Sequence, residues 1–268
     1  MDDRDGQCVD IGNRYRPLVW IKGAGDLASG IGVRLHHAGF TIVMTEIAAP
    51  TTVRRTVAFS QAVYDGTCAV EGATGVLCGS VKHKAERDEF GAPSAGIAAQ
   101  GVTARRFADR RFTDQDYNAD GRGNDVGCAD DVFADIAAVL EKKQIPVVVD
   151  PKGLTVKCLQ PDVIVDAILA KRNTGTLITD AALVIGVGPG FSAGVDCHCV
   201  VETQRGHYLG RCIWKGSAIP NTGIPGEVGG YGIERLVRSP CAGVFHGTKA
   251  IGDKVEAGQA VGYVEGGG

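Results

Sequence analysis

The sequence has no apolar run approaching the roughly 20 residues that a membrane-spanning helix needs. It also has no excess of one charge, because 28 lysine and arginine residues stand against 31 aspartate and glutamate residues. Without a net field, the protein would not be drawn to nucleic acid or to an anionic membrane surface. We therefore expect neither as a partner.

The N-terminus lacks the features of a secretory signal. Residues 1–17, MDDRDGQCVDIGNRYRP, begin with acidic side chains and contain no apolar segment. We expect residues 1–16 to be a disordered lead-in and the protein to be cytoplasmic.

The nine cysteines show no CxxC pair and no even framework of spacings. This argues against a structural zinc site and against a disulfide scaffold. Small apolar thiols are expected at most of these positions, since free cysteine is commonly buried: Cys8, Cys68, Cys78, Cys128, Cys158 and Cys241.

What the sequence does contain is a glycine turn between an apolar strand and a helix. Residues 17–22 predict a short apolar strand, which ends at Gly23-Ala-Gly25. Apolar residues then recur at helical spacing and predict a helix, and residues 40–45 predict a second strand that ends at Glu46. This is the layout of a dinucleotide-binding fold, in which an acid about 20 residues after the glycines accepts from a ribose hydroxyl. Gly23, Gly25 and Glu46 are therefore candidate cofactor-binding residues.

Asp26 argues against a simple phosphate site, because it lies where a pyrophosphate would bind. Two negative charges about 4 Å apart repel by about 4 kcal/mol at an effective dielectric near 20. The helix dipole offers about 0.3–1 kcal/mol in return. A bound dinucleotide, with Asp26 turned away or holding a cation, and a helix-capping role for Asp26 both stay open.

Arg54 and Arg55 follow the second strand and are candidates for holding an anionic group, because the arginine fork matches phosphate and carboxylate. Adjacent arginines also commonly flank a solvated surface, so both interpretations remain.

The rest of the N-terminal region predicts a parallel sheet. Residues 78–127 are charged and aperiodic, which indicates flexible insertions. A helix is predicted over residues 130–143, a buried strand over 145–150, and a strand leading into a short helix over 161–169. The β-branched runs are typical of parallel strands covered on both faces.

Acidic residues lie at the ends of these two strands. Asp150 and Asp166 occupy the positions where open α/β sheets place ligand-contacting groups. Asp166, Lys171 and Asn173 form a second candidate cluster.

The segment Leu183–Arg211 concentrates chemically active side chains around a turn with Gly188 and Gly190. These two glycines are candidate cofactor-binding residues that would shape a second pocket. Alternation along residues 195–202 would place Asp196 and His198 on one face of a strand. This pair is a candidate catalytic pair that binds a metal or relays a proton, since a carboxylate can fix the imidazole tautomer. A purely structural hydrogen bond between them is the alternative.

The opposite face of that strand would carry Cys197 and Cys199 among valines, which favours buried thiols over metal ligands. Gln204-Arg-Gly206 predicts a three-residue hairpin loop that pairs Thr203 with His207. A four-residue loop would shift this pairing.

The tail contains Pro-x-x-Gly, Ile-Gly-Asp-x-Val and Gly-x-x-Val-Gly-x-Val-Glu, and resembles half of a biotinyl or lipoyl barrel-sandwich domain. In such carriers the modified lysine follows the position of Glu265, where this sequence has Gly266. We expect no swinging-arm function, but a small β module for packing, dimerisation into a homo-oligomer, or partner contact.

Taken in order, these motifs resemble the YqeB family of selenium-dependent molybdenum hydroxylase system proteins. The matching blocks cover most of residues 18–265: IKGAGDLASG, GFTIVMTEIAAPTTVRRTVAFSQAVYDG, IPVVVDP, PDVIVDAILAKRNTGT, VIGVGPGFSAGVDCHCVVETQRGHYLGR, NTGIPG and VRSPCAGVF. The first turn, helix and strand are also similar to accessory factors that load the cofactor of xanthine dehydrogenase.

The resemblance implies a role in maturing molybdenum hydroxylases that contain labile selenium, with such a hydroxylase as client. It supplies no catalytic residues. Two features depart from the family pattern: much of residues 73–127 looks like added sequence, and the tail stops after one half of the barrel-sandwich repeat.

These observations predict an α/β protein. A Rossmann-like parallel sheet would span residues 17–185, a glycine-rich turn and β-hairpin region 186–235, and a biotinyl/lipoyl-like half module 236–268. The expected function is a maturation factor that binds NAD(P) or the dinucleotide form of molybdopterin. The alternatives are an NAD(P)-dependent oxidoreductase of a small metabolite, with His198 as general acid, and a non-catalytic adaptor.

Overall fold

The computed structural model describes residues 16–80, 130–221, 223 and 227–266. The predicted lead-in up to residue 15 and the predicted insertions at 81–127 lie outside the described residues. In chain order, the strands and helices are β1 (Leu18–Lys22), α1 (Asp26–His37), β2 (Thr41–Glu46), α2 (Ala62–Asp65), β3 (Thr67–Val70), β4 (Ala73–Ser80), α3 (Asp130–Glu141), β5 (Ile145–Val149), α4 (Leu154–Leu159), β6 (Val163–Asp166), β7 (Leu183–Val187), β8 (Cys199–Val201), β9 (Cys212–Ile213), β10 (Val244–Gly247) and β11 (Gly262–Glu265).

Strands β1 to β9 form one sheet in the order β3-β4-β5-β2-β1-β6-β7-β8-β9. Every neighbouring pair from β4 to β8 is parallel, and the outermost pairs, β3 with β4 and β8 with β9, are antiparallel. The predicted α/β class with a mostly parallel sheet is therefore confirmed. β1 lies at the centre, and β2 and β6 flank it on opposite sides.

Helices cover both faces of the sheet. One apolar cluster joins β1 and β2 to α1 through residues such as Ile21, Met44 and Val33. A second joins the other face of the same strands to α3, through residues such as Val43 and Ile136. Two-sided burial explains why these strands are apolar along most of their length.

The first turn follows the sequence closely. Gly23 has φ +91°, a conformation that favours glycine. A Cβ at this residue would lie 3.0 Å from the Ala167 carbonyl oxygen, so the loop after β6 also requires glycine here.

Three expectations about local structure were wrong. No helix follows β6: residues 167–170 are irregular, and Leu169 has φ +60°, which is rare for a branched side chain. The strand predicted over 195–202 is shortened to β8, and residues 194–196 form a turn. Cys158 is disulfide-bonded and is not the isolated thiol that the spacing indicated.

The hairpin after β8 also differs from the prediction. Val201 pairs with Cys212, so residues 202–211 form the connection. Glu202 explains the longer loop, because its buried carboxylate accepts from the backbone N–H groups of Thr203, Gln204 and Ile219. Neither predicted pairing of His207 occurs.

The described residues divide into two compact units between Pro220 and Asn221. Residues 186–213, which the sequence assigned to a separate region, belong to the sheet of the first unit. The second unit contains the antiparallel pair β10 and β11, with Val244 opposite Glu265. Many of its large apolar side chains are exposed, among them Val237 (85%) and Phe245 (60%).

Candidate functional site

Polar residues line the carboxyl edge of the sheet. Because neighbouring parallel strands end at the same edge, the residues at the ends of adjacent strands form a row. In spatial order this row is Asp150, Glu46, Lys22, Asp166, Gly188 and Glu202, at the ends of β5, β2, β1, β6, β7 and β8. Both glycine turns of the sequence therefore lie at this edge.

The Glu46 carboxylate organises the turn after β1. Its Oε2 accepts from the Ala24 N–H at 2.9 Å, and its Oε1 accepts from the Ile47 N–H at 2.8 Å. Glu46 lies beside the glycine turn as predicted, but each of its oxygens already accepts a backbone hydrogen bond. A ribose hydroxyl at this position would use the remaining lone pairs of the same oxygens.

Asp26 opens α1 and forms an ion pair with Arg54. This pairing resolves the charge conflict that the sequence raised, because the guanidinium offsets the carboxylate at the start of the helix. It also leaves less of Arg54 for an anionic ligand. Arg55 is exposed in the adjacent short helical turn.

A buried polar cluster lies at the centre of the edge. Lys22 Nζ is 3.4 Å from Asp166 Oδ2, with side chains 13% and 1% exposed. The Thr176 hydroxyl donates to Asp166 Oδ2 at 2.6 Å and accepts from Lys22 Nζ. Burying two opposite charges is tolerable only when they pair and their remaining hydrogen-bonding groups are used.

The loop after β6 carries Thr176 back to the sheet. Asn173 Oδ1 accepts from the N–H groups of Gly175 and Thr176, and its Nδ2 donates to the Thr176 carbonyl at 2.8 Å. Within the same loop, Leu169 and Lys171 adopt positive φ angles of 60° and 61°. Non-glycine residues rarely adopt this conformation, and such strain often accompanies a functional constraint.

Gly190 contacts this loop from the other side. It has φ +111°, and a Cβ there would lie 2.5 Å from the backbone of Arg172. Gly188 has φ +83° and donates its N–H to the Val201 carbonyl at 2.8 Å. Gly190 is explained by this close approach to backbone, and Gly188 by its positive φ and by the Thr203 side chain, whose Oγ1 would lie 2.9 Å from a Cβ at Gly188. The loop after β6 thus joins the two glycine turns, because Gly23 meets it at Ala167.

Glu202 is the buried acid at the end of β8. Burial opposes its ionisation, but the three N–H groups that it accepts outweigh burial and lower its pKa. Beside it, residues 207–211 line an open depression of about 430 Å³, where the Arg211 guanidinium lies 5.5 Å from the centre of the Tyr208 ring.

Asp196 and His198 lie elsewhere. They precede β8, whereas the glycine turns follow β1 and β7, so the pair is at the amino edge of the sheet. His198 Nδ1 accepts from the Val184 N–H at 3.0 Å, and Asp196 Oδ2 accepts from the Ser192 N–H at 2.8 Å. Each side chain therefore has a structural partner of its own, and the structure does not bring the pair to the glycine turns.

Lys22 and Thr176 were missed as site residues. The sequence could have indicated Lys22 as a site residue, because this lysine ends an otherwise apolar strand immediately before a glycine turn. No sequence pattern could have indicated Thr176, since its contact with Asp166 depends on the path of an irregular loop. Among the described residues, no group of three or more histidine, cysteine, aspartate or glutamate side chains is arranged to hold a metal ion.

No helix among the described residues is both long enough and apolar enough to cross a membrane. No protein-family model matches the chain, and no solved structure matches it.

The chain is similar to the uncharacterized protein YqeB of Escherichia coli (strain K12), with 38% identity over 247 residues. The similarity covers 92% of this chain and 36% of YqeB, so the chain spans about a third of that relative's length. The name of that relative does not state a function. The similarity supports a YqeB-like protein.

Proposed function

We propose that this protein is an accessory factor in the maturation of selenium-dependent molybdenum hydroxylases of the xanthine dehydrogenase type. In this proposal it binds a nucleotide-containing cofactor at the carboxyl edge of its sheet. The first part rests on the resemblance of the sequence motifs to the YqeB family, and the similarity to YqeB agrees with that resemblance.

The observation that carries cofactor binding is the open start of α1. This helix begins after Gly25, a residue that has no side chain to cap the first turn. The first N–H groups of a helix lack partners within the helix and attract anions such as a pyrophosphate. The turn also lies beside the reversal of strand order around β1, where open α/β sheets bind their ligands.

The Asp26–Arg54 ion pair makes this start of the helix compatible with an anion. A pyrophosphate would meet a neutral pair there and not an isolated carboxylate. NAD(P) and the dinucleotide form of molybdopterin both present a pyrophosphate, so this part of the site would accept either.

Thermal shift of the full chain with NAD, NADP and the dinucleotide form of molybdopterin tests the proposal. A bound ligand stabilises the fold by about 2.7 kcal/mol at a hundredfold excess over its dissociation constant. We expect a shift with the molybdopterin dinucleotide, and Gly25→Ala should abolish it. A Cβ at Gly25 meets only ordinary contact, 3.5 Å from Thr52 Oγ1, and this residue has φ −64°, so the variant should fold.

Gly30→Ala is the matched control in the same helix. A Cβ there would have no neighbour within 4 Å among the described residues, so the change should raise stability by about 0.5–1 kcal/mol and leave binding unchanged. If no dinucleotide shifts the wild-type protein, or if Gly25→Ala retains the full shift, cofactor binding at this turn is wrong.

The client is tested separately by pull-down from the native cell with mass spectrometry and elemental analysis for Mo and Se. We expect a molybdenum hydroxylase to be captured. Capture of no hydroxylase and no bound Mo or Se would contradict the maturation role, whatever the thermal shift shows.

A non-catalytic adaptor is the second candidate, favoured by the exposed apolar side chains of the second unit such as Val244 and Phe245. It predicts client capture that is unaffected by Gly25→Ala, together with no dinucleotide shift. The oxidoreductase alternative loses support, since His198 lies at the amino edge of the sheet and the proposed cofactor-binding turn lies at the carboxyl edge.

A further inference from the structure

Two cysteines lie on one face of the antiparallel pair β8 and β9. Val201 is directly opposite Cys212, and side chains two residues apart on a strand share a face. Cys199 is therefore the diagonal neighbour of Cys212. The register alone places these two thiols together.

The two thiols differ in exposure. Cys199 is 2% exposed, whereas Cys212 is exposed on the edge strand. Burial raises the pKa of Cys199, and the neighbouring Cys212 thiol, which interacts with it by charge and by a side-chain hydrogen bond, raises it further. An accessible thiol in contact with a protected one is the arrangement of an attacking cysteine and its resolving partner.

The strand that carries Cys212 is short and lies at the edge of the sheet. β9 contains only Cys212 and Ile213, and among the described strands only β8 neighbours it. Diagonal neighbours have Cα atoms about 7–8 Å apart, and a disulfide requires about 4.4–6.8 Å. The small approach needed would fall on an edge strand that follows a long loop, which is among the easiest elements to displace.

We propose that Cys199 and Cys212 form a redox-active dithiol that exchanges reversibly with small-molecule or protein disulfides. This function goes beyond the proposed cofactor binding and does not depend on it. The Cys212 thiol is exposed, so a disulfide in solution can approach it.

The exchange has two steps. The Cys212 thiolate attacks one sulfur of the incoming disulfide, which forms a mixed disulfide and releases the first leaving thiolate. The Cys199 thiolate then attacks the Cys212 sulfur, forms the Cys199–Cys212 bond and releases the second thiolate. The two protons lost by the protein thiols are taken up by the two products, so the protein is oxidised by two electrons and the disulfide is reduced to two thiols.

Oxidised glutathione is the probe, applied to the full chain and followed by acid quenching, alkylation and peptide mass spectrometry. In the wild-type protein we expect a Cys199–Cys212 linked peptide that dithiothreitol reverses. Cys199→Ala should instead accumulate glutathione on Cys212, because the resolving thiol is absent. Cys212→Ala should leave Cys199 unmodified, since this thiol is buried.

Cys241→Ala is the matched control, because Cys241 is exposed but lies in the second unit. It should leave the Cys199–Cys212 link unchanged. The wild-type measurement requires no variant to fold, and the circular dichroism of Cys199→Ala checks the variant. The proposal is overturned if saturating oxidised glutathione never links Cys199 to Cys212, or if wild-type protein and Cys199→Ala retain equal glutathione on Cys212.

Discussion

Lys22→Met should destabilise the first unit far more than an ordinary surface substitution, because it leaves the Asp166 carboxylate buried without its cation. At 3.4 Å and an effective dielectric near 20, the attraction between the two charges is about 5 kcal/mol. The Thr176 hydroxyl and the Ile168 N–H still donate to Asp166 in the variant, so these two hydrogen bonds continue to stabilise the buried carboxylate. We expect a loss of about 3–5 kcal/mol in the free energy of unfolding, as for other buried pairs that lose one partner.

Urea unfolding followed by tryptophan fluorescence measures this loss. Trp20 is on the same strand as Lys22 and is fully buried, whereas Trp214 is 67% exposed, so the change in emission reports on β1. The urea midpoint should fall while the slope stays unchanged, because the surface exposed on unfolding is the same.

Lys142→Met is the control, since Lys142 is exposed in the turn after α3. It should change stability by no more than about 0.5 kcal/mol. The double variant Lys22→Met with Asp166→Asn should be more stable than the sum of the single losses predicts, by about 0.5–3 kcal/mol of coupling. A loss below about 1 kcal/mol for Lys22→Met would refute the reasoning, because it would mean that water solvates Asp166 without its partner.

Two further predictions concern the turns at this edge. Gly190→Ala should lower stability by about 1–2 kcal/mol for its positive φ and by roughly 1–3 kcal/mol more for the 2.5 Å approach to the Arg172 backbone. Gly206 has φ +131°, and a Cβ there would have no neighbour within 4 Å in the part of the chain that the structure describes, so Gly206→Ala should show only the first effect. Equal losses in urea unfolding for the two variants would contradict the packing argument. The lowered pKa of Glu202 means that its carboxylate stabilises the fold fully above about pH 4.5, and that this contribution is lost as pH falls through the folded value. The stability difference between wild-type protein and Glu202→Gln should therefore shrink below pH 4.5, and a difference independent of pH would show that the charge of Glu202 is not what binds its three N–H groups.

Local patterns predicted the elements whose bounds depend on neighbours in sequence. Strand β1, the turn at Gly23, helix α1 and strand β2 appear where apolar periodicity and glycine placed them. The hairpin of β3 and β4 was missed, although Gly72 between two apolar runs indicated a turn. In the structure both Glu71 and Gly72 have positive φ, as tight two-residue turns require.

The alternation of side chains along residues 195–202 gave a wrong strand prediction around β8, because the pattern was extended across a turn. Residues 194–196 form that turn, and the Asp196 carboxylate accepts from the N–H of Ser192, which lies just before it. A carboxylate bound to the backbone two to four residues away competes with strand formation. Asp196 was therefore a turn signal, and a period of two could not have been continued through it to His198.

The contacts of the carboxyl edge depend on one irregular loop, which no periodic pattern describes. Residues 167–176 meet Gly23 on one side and Gly190 on the other, and they deliver Thr176 to the Lys22–Asp166 pair. The positive φ angles of Leu169 and Lys171 cost free energy that the surrounding contacts must offset. A ligand at the turn after β1 would touch an element already strained and already joined to the second glycine turn. Binding at the first turn should consequently alter hydrogen exchange in residues 167–176 as well as at α1, and protection confined to α1 would mean that the two turns act independently.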